Sequence, residues 1–129
     1  MKAVVDTNIF VSALMSAEGT PAKIVSLILN GKIKICYDNR IIFEYNDVLS
    51  RKKIGFYNEI INGLLEFIKQ EGQYINAEYL KLNFNDETDK KFYEVFKSAD
   101  ADYLITGNKK HFPKENAIVT PGEFLEKYQ

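Results

Sequence analysis

Short apolar runs rich in β-branched residues alternate along this chain with stretches that carry apolar residues at helical spacing. No other feature narrows the fold as much. KAVVD at 2–6 is one such run and is consistent with a buried parallel strand. Residues 33–37 (IKICY), 103–106 (YLIT) and 117–119 (AIV) read as further strands, with Tyr74-Ile75 as a short edge strand. Residues 8–15 form a short predicted helix. Thr20-Pro21 opens a second one, with Ile24, Leu27 and Ile28 on one face, which stops at Asn30-Gly31. A third is capped by Asp38 or Asn39 and runs to about Ser50. A fourth carries the stripe Ile61, Leu64, Leu65 and Ile68 and ends near Gly72. From Asp86 a fifth helix sets Phe92, Val95, Phe96 and Ala99 on one face, and Thr120-Pro121-Gly122-Glu123 is a capping box opening a last one. Strands alternating with helices imply an α/β fold: a parallel sheet joined by right-handed crossovers, with helices on both faces. No repeat, linker or low-complexity segment divides the chain, so residues 1–129 read as a single domain.

Composition removes several classes of function. The net charge is −1, so a polyanion must be held by local patches rather than by the field of the whole molecule. Such patches are offered by Arg51-Lys52-Lys53, Lys90-Lys91 and Lys109-Lys110, although isolated lysine pairs are usually solvated surface. One cysteine and one histidine make neither an internal disulfide nor a structural zinc site. No apolar run is long enough to span a membrane, and MKAVVDTNIF lacks the form of a signal peptide, so a cytoplasmic protein is expected.

In parallel sheets ligands bind beyond the carboxyl ends of the strands, where strand order reverses, and that rule sorts the acidic residues. Asp6 closes the first strand. It reads either as a helix cap or as a site residue, and its place at the carboxyl edge favours the site. Glu44 lies three residues after Ile41 and four before Val48, on the apolar face of its helix, where an acid either reaches solvent or points into a shared site. Asp89 precedes Phe92 by three, in a first helical turn where the helix dipole alone would also favour it. Asn108 follows the YLIT strand at the same edge. Asp38 and Asp86 read as caps, and Asp47 and Asp102 as surface. Three acids at one edge repel one another unless a cation joins them. An all-oxygen, hydrated site suits Mg²⁺ or Mn²⁺ better than zinc. Lys90-Lys91 and Lys109-Lys110 directly follow Asp89 and Asn108, in position to grip a phosphate backbone. His111 reads as a packed loop residue beside Phe112, and Cys36 as a small core residue.

These motifs, in this order, resemble the PIN-domain family. DTNIFVSAL at 6–14 is similar to its opening motif, and FEYNDVLSR around Glu44 to its second acidic element. DETDKKF at 86–92 and TGNKKHF at 106–112 resemble its later acidic and Thr-x-Asp-type elements. IVTPGEFL at 118–125 is similar to the ending of the subgroup associated with the toxin component of toxin–antitoxin systems. The resemblance implies a three-layer Rossmann-like domain with a parallel sheet of about four or five strands. It also implies a Mg²⁺- or Mn²⁺-dependent endoribonuclease acting on single-stranded RNA, a habit of forming homodimers, and neutralisation by an antitoxin protein. By that resemblance Asp6, Glu44 and Asp89 are catalytic and metal-binding, and Asn108 completes the metal set. Asn8 and Thr106 support it by hydrogen bonds. Arg51, Lys90, Lys109 and Lys110 would hold the RNA backbone. The family commonly has an aspartate where this chain has Asn108. That exchange removes one negative charge and implies weaker metal affinity. It keeps a rival reading open, a PIN-fold RNA-binding or protein-interaction module with little or no turnover. A phospho-receiver is disfavoured, because its paired acids in the first strand-to-helix loop are absent. No glycine-rich nucleotide fingerprint occurs either.

Overall fold

The computed structural model describes residues 1–128. Strand β1 (Lys2–Val5) lies at the centre of a five-stranded, wholly parallel sheet of order β3-β2-β1-β4-β5. Its partners are β2 (Lys34–Tyr37), β3 (Gln73–Tyr74), β4 (Tyr103–Ile105) and β5 (Ile118–Val119). In the strand Ala3, Val4 and Val5 are all fully buried, and with side chains alternating between faces this means that both faces of β1 are covered. Six helices do the covering: α1 (Thr7–Met15), α2 (Thr20–Leu29), α3 (Asn39–Leu49), α4 (Asn58–Glu71), α5 (Lys90–Ala99) and α6 (Pro121–Tyr128). Helix α5 packs across β1, β2 and β4, while α3 and α4 pack on β2 and α6 on β5. The α/β, three-layer expectation agrees with this architecture. Among the described residues no helix is long and apolar enough to cross a membrane.

Local chemistry sets the boundaries. Asp38 caps α3 by accepting from the Ile41 N–H at 3.0 Å, and the helix stops at Leu49 with Ser50 as its cap. The capping box at α6 closes in both directions: Glu123 N–H donates to Thr120 Oγ1 at 3.2 Å, and Thr120 N–H donates to Glu123 Oε1 at 2.9 Å. Helix α5 begins later than its apolar pattern suggests. The Asp86 carboxylate accepts from both the Thr88 N–H (3.0 Å) and its hydroxyl (2.6 Å), which tightens Glu87–Asp89 into a 3₁₀ turn before α5 proper. A Cβ at Gly72 would lie 2.5 Å from the Ile68 carbonyl and 2.7 Å from that of Ile35, so only glycine permits α4 to turn this closely into β3.

The Ile61, Leu64, Leu65 and Ile68 stripe of α4 is buried in the core. The long irregular segment between β3 and the 3₁₀ turn is tied down by Glu94, which is 2% exposed. Its carboxylate accepts from the Leu80 N–H at 2.8 Å and pairs with Arg40 at 2.8 Å, while the other side of Arg40 meets Asp38 at 2.7 Å.

The chain steps from β1 outward to β2 and β3, then returns through α5 to β4 on the other side. Strand order therefore reverses between β1 and β4, and the crevice at their carboxyl ends is where this architecture places a site.

Candidate functional site

Asp6 hangs from the end of β1 into that crevice. Its backbone occupies the cap position of α1, yet its side chain makes no capping bond, which counts against reading it as a helix cap. The carboxylate is 8% exposed and accepts a 2.7 Å hydrogen bond from Thr106 Oγ1, a fully buried hydroxyl at the end of β4. The same hydroxyl accepts from the Asn108 N–H at 3.0 Å, so Thr106 ties the β1 and β4 ends together. Burial raises Asp6 above the usual carboxylate range. Thr106 opposes that rise, and the negative charges of Asp89 and Glu44 add to it. These acids thus lie within electrostatic reach of one another.

Glu44 enters from α3. One oxygen accepts from the Thr7 hydroxyl, and the other pairs with the Lys91 ammonium at 2.6 Å, an ammonium on a side chain only 13% exposed. Asp89, at the end of the 3₁₀ turn, meets His111 Nδ1 at 2.9 Å. Burial first, then Asp86 and Glu44, raise the Asp89 carboxyl, and His111 opposes them. Asn108 reaches the other ring nitrogen of His111, with Nδ2 3.0 Å from Nε2. An amide nitrogen only donates, so Nε2 accepts and Nδ1–H donates to Asp89. Asn108, His111 and Asp89 form a directed chain.

Several expectations need correction. His111 is no packed loop residue: it is 44% exposed and bridges two candidate site residues. Asn8 is exposed and, among the described residues, makes no side-chain hydrogen bond; the neighbouring Thr7 is the one that braces Glu44. Lys90 is 6% exposed with its ammonium 4.3 Å from the Tyr79 ring, so the buried member of its doublet is packed on that ring, and Lys91 is paired with Glu44. Arg51 pairs loosely with Asp47 at 3.2 Å and Lys109 with Glu123 at 3.0 Å, while Lys110 is exposed. The sequence reading missed Thr7 and Tyr45, and it set Lys91 beside the site as a phosphate contact, not as the partner of Glu44.

Tyr45 is fully buried, edge-on to Phe10 at 4.9 Å and tilted against Phe92 at 6.5 Å, and it donates a 2.5 Å hydrogen bond to the Val5 carbonyl, directly before Asp6. Tyr45→Phe is expected to cost about 1 kcal/mol in urea unfolding by leaving that carbonyl short of a donor. An unchanged midpoint would show that the hydroxyl does not anchor the end of β1.

The side chains proposed for a cation offer oxygens, the carboxylates of Asp6, Glu44 and Asp89 and the amide of Asn108, with the His111 imidazole beside them. Their chemistry fits a hard divalent cation. Among the described residues no three acidic, histidine or cysteine side chains converge into a ready-made cage. Glu44 is instead turned to Thr7 and Lys91, and Asp89 to His111, so positive charge and hydrogen bonds from the protein already offset the acids. Depressions lie on both flanks. One of about 630 Å³ runs along α3 beside Glu44. Another of about 850 Å³ beside β5 shares Lys109 and Lys110 with the loop after Asn108.

Comparison with known proteins agrees with this architecture. A PIN domain family model matches residues 2–110. An uncharacterized protein of Methanocaldococcus jannaschii is 34% identical over 148 aligned positions, which cover 100% of this chain and 92% of that protein. No solved structure gives a significant match. PIN domains are generally nucleases, hydrolases that typically use divalent metals. The family match spans most of the chain, from the start of β1 through the loop after β4, and the chain belongs to the PIN-domain family.

Proposed function

We propose that this protein is a metal-dependent endoribonuclease that cleaves the phosphodiester bonds of single-stranded RNA, acting as the toxin of a toxin–antitoxin pair. What supports the reading is a PIN-domain chain in which Asp6, at the sheet's reversal point, lies within electrostatic reach of Glu44 and Asp89. Asp6, Glu44 and Asp89 would hold Mg²⁺ or Mn²⁺, with the Asn108 amide oxygen beside them. The bound cation supplies Lewis acidity and makes water a nucleophile near neutral pH. The chain's own groups do the positioning. Thr106 holds one Asp6 oxygen, and His111 holds one oxygen of Asp89. Both carboxylates would then orient the attacking water and accept its proton. Arg51, Lys109 and Lys110 hold phosphates without reading bases, so little sequence preference follows.

The first test is cleavage of a fluorescently labelled single-stranded RNA with Mn²⁺, Mg²⁺ or EDTA. Cutting only with metal is the expected result; cutting undiminished by EDTA would refute it. An antitoxin protein that silences the cleavage and a homodimer in sedimentation are the partners this reading carries. Growth arrest on expression, relieved by a co-expressed partner, checks the toxin role.

Lys91 competes for Glu44, so Lys91→Met should tighten Mn²⁺ binding about 3- to 10-fold in calorimetry, in proportion to the loss of one modest ion pair. Unchanged or weaker binding would place Glu44 outside the metal's reach. A second reading has its own observation: with Asn108 lacking a charge and Lys91 on Glu44, the fold could serve as a non-catalytic RNA-binding or protein-interaction module. It predicts RNA binding that is indifferent to metal and no cutting.

A further inference from the structure

We infer that the groove along α3 beside Glu44 seats the single-stranded substrate, with the Phe43 ring stacked on a base and Arg51 and Lys91 on the adjoining phosphates. The inference rests on the reading of the protein as a ribonuclease of single strands. It names the route by which the strand leaves the carboxylates.

Three observations converge on this groove. Helix α3 buries Ile41, Tyr45 and Leu49, yet Phe43, one residue before Glu44, is 72% exposed. A phenylalanine so exposed adds nothing to the core. Tyr79, equally exposed, lies under the Lys90 ammonium, whereas among the described residues Phe43 has neither an aromatic nor a cationic partner on its ring. A free π-face suits any base, and stacking of this kind is tolerant of sequence.

The groove itself is about 630 Å³ and is shared by Phe43, Val48, Glu44, Arg40, Arg51 and Lys91. That volume lies within the ~300–1,000 Å³ of pockets that hold small molecules, enough for a nucleotide unit. Glu44 shares this lining with Phe43, so a base stacked on Phe43 would lie in the same groove as that carboxylate rather than on a remote face.

Charge is the third observation. Arg40, Arg51 and Lys91 line the groove against the two acids Glu44 and Asp47. The Arg51–Asp47 pair is about half exposed at both ends, and such pairs contribute little, so Arg51 can turn to a phosphate at small cost. Lys91 also donates to the Thr88 carbonyl, and a divalent cation on Glu44 would release its ion pair there and leave the ammonium for a phosphate. Arg40 is held by Asp38 and Glu94, so Arg51 and Lys91 would then face the phosphates against the one carboxylate of Asp47.

The chain contains no tryptophan, so Phe43→Trp creates a single fluorescent reporter at the proposed platform. It is mixed in stopped flow with an oligouridylate of about ten residues, in Mn²⁺ and in EDTA, while anisotropy of a labelled oligomer follows binding independently. Quenching of the tryptophan as RNA binds is expected. Phe43→Ala should weaken binding about 5- to 100-fold, while Phe43→Tyr keeps it within about twofold. Bound RNA that leaves the tryptophan unquenched, or wild-type affinity in Phe43→Ala, overturns the inference. So does a Phe43→Ala protein that merely changes from dimer to monomer with unaltered affinity, which would assign the face to a second copy. RNA that is cut without any dependence on Phe43 refutes the groove and leaves the ribonuclease standing. RNA that stacks on residue 43 and is never cut does the reverse. RNA neither bound nor cut overturns both.

Discussion

Asp6→Asn should lower metal-dependent RNA cleavage by a hundredfold or more and yet make the metal-free protein more stable. The first effect follows from position. Asp6 is the most buried of the three acids, and Thr106 fixes one of its oxygens at the end of β1. Removing one pre-organised charged group from such a site costs on the order of 10²–10³ in rate. The second effect follows from the sign of the linkage. Burial, with Asp89 and Glu44 adding to it, raises Asp6 above its ordinary value despite the Thr106 hydroxyl. Folded protein therefore binds more protons than unfolded protein between the ordinary value and the raised one. Stability is highest below that interval and falls as pH rises through the raised value. Asp89 contributes with the same sign. An asparagine keeps an oxygen for Thr106 to donate to but carries no charge to desolvate. Thermal melts without metal should show the variant above the wild type near neutral pH, with the difference closing below about pH 4. Melts with Mn²⁺ should show the reverse order, because the cation stabilises only the chain that binds it. A variant that cuts RNA at the wild-type rate would remove Asp6 from the site. A variant less stable at every pH would mean that its carboxylate is structural.

The parts of this architecture legible in the sequence are those that local periodicity encodes. Short continuous apolar runs mark KAVVD and YLIT, and spacings of three and four put Glu44 on the face of Ile41. The strand-then-acid order places Asp6 at a carboxyl edge. Partner choice is not local. Nothing near Glu44 announces Lys91, 47 residues on, because that pair exists only once α3 and α5 have been packed together. Thr7 was passed over for Asn8 because both side chains in the DTN motif carry suitable oxygens; the start of α1 turns one inward and the other to solvent. The Lys90-Lys91 doublet shows the same limit. Neighbours on a helix point about 100° apart, so one lysine of any doublet on an amphipathic helix can end over the core side while the other reaches the site. His111 misled for a different reason: its neighbour Phe112 is buried, but the 3₁₀ turn Lys109–His111 swings the imidazole back to Asn108 and Asp89.

Asn108→Asp tests the one departure from the family's acidic pattern, and it should tighten Mn²⁺ binding about 10- to 100-fold. A full charge added beside a divalent cation near solvent would contribute about 1–3 kcal/mol after screening. The surrounding bonds set where in that range the result falls. At present the Asn108 amide donates to His111 Nε2, which commits the ring proton to Nδ1 and to Asp89. A carboxylate at 108 cannot donate, so the same contact needs a proton on both ring nitrogens, and an imidazolium then lies between two acids. That cation competes with the metal and holds the gain toward the lower end. The double variant Asn108→Asp, His111→Asn removes the competitor while leaving an amide to hold Asp89. Its affinity should exceed that of the single variant. Calorimetry with Mn²⁺ measures both, and cleavage at limiting Mn²⁺ should rise in the same order. If neither variant binds Mn²⁺ more tightly than the wild type, residue 108 lies beyond the metal's reach. Asn108 would then act only as the outer end of the chain that orients Asp89, and the charge lost from the family pattern would cost the site nothing.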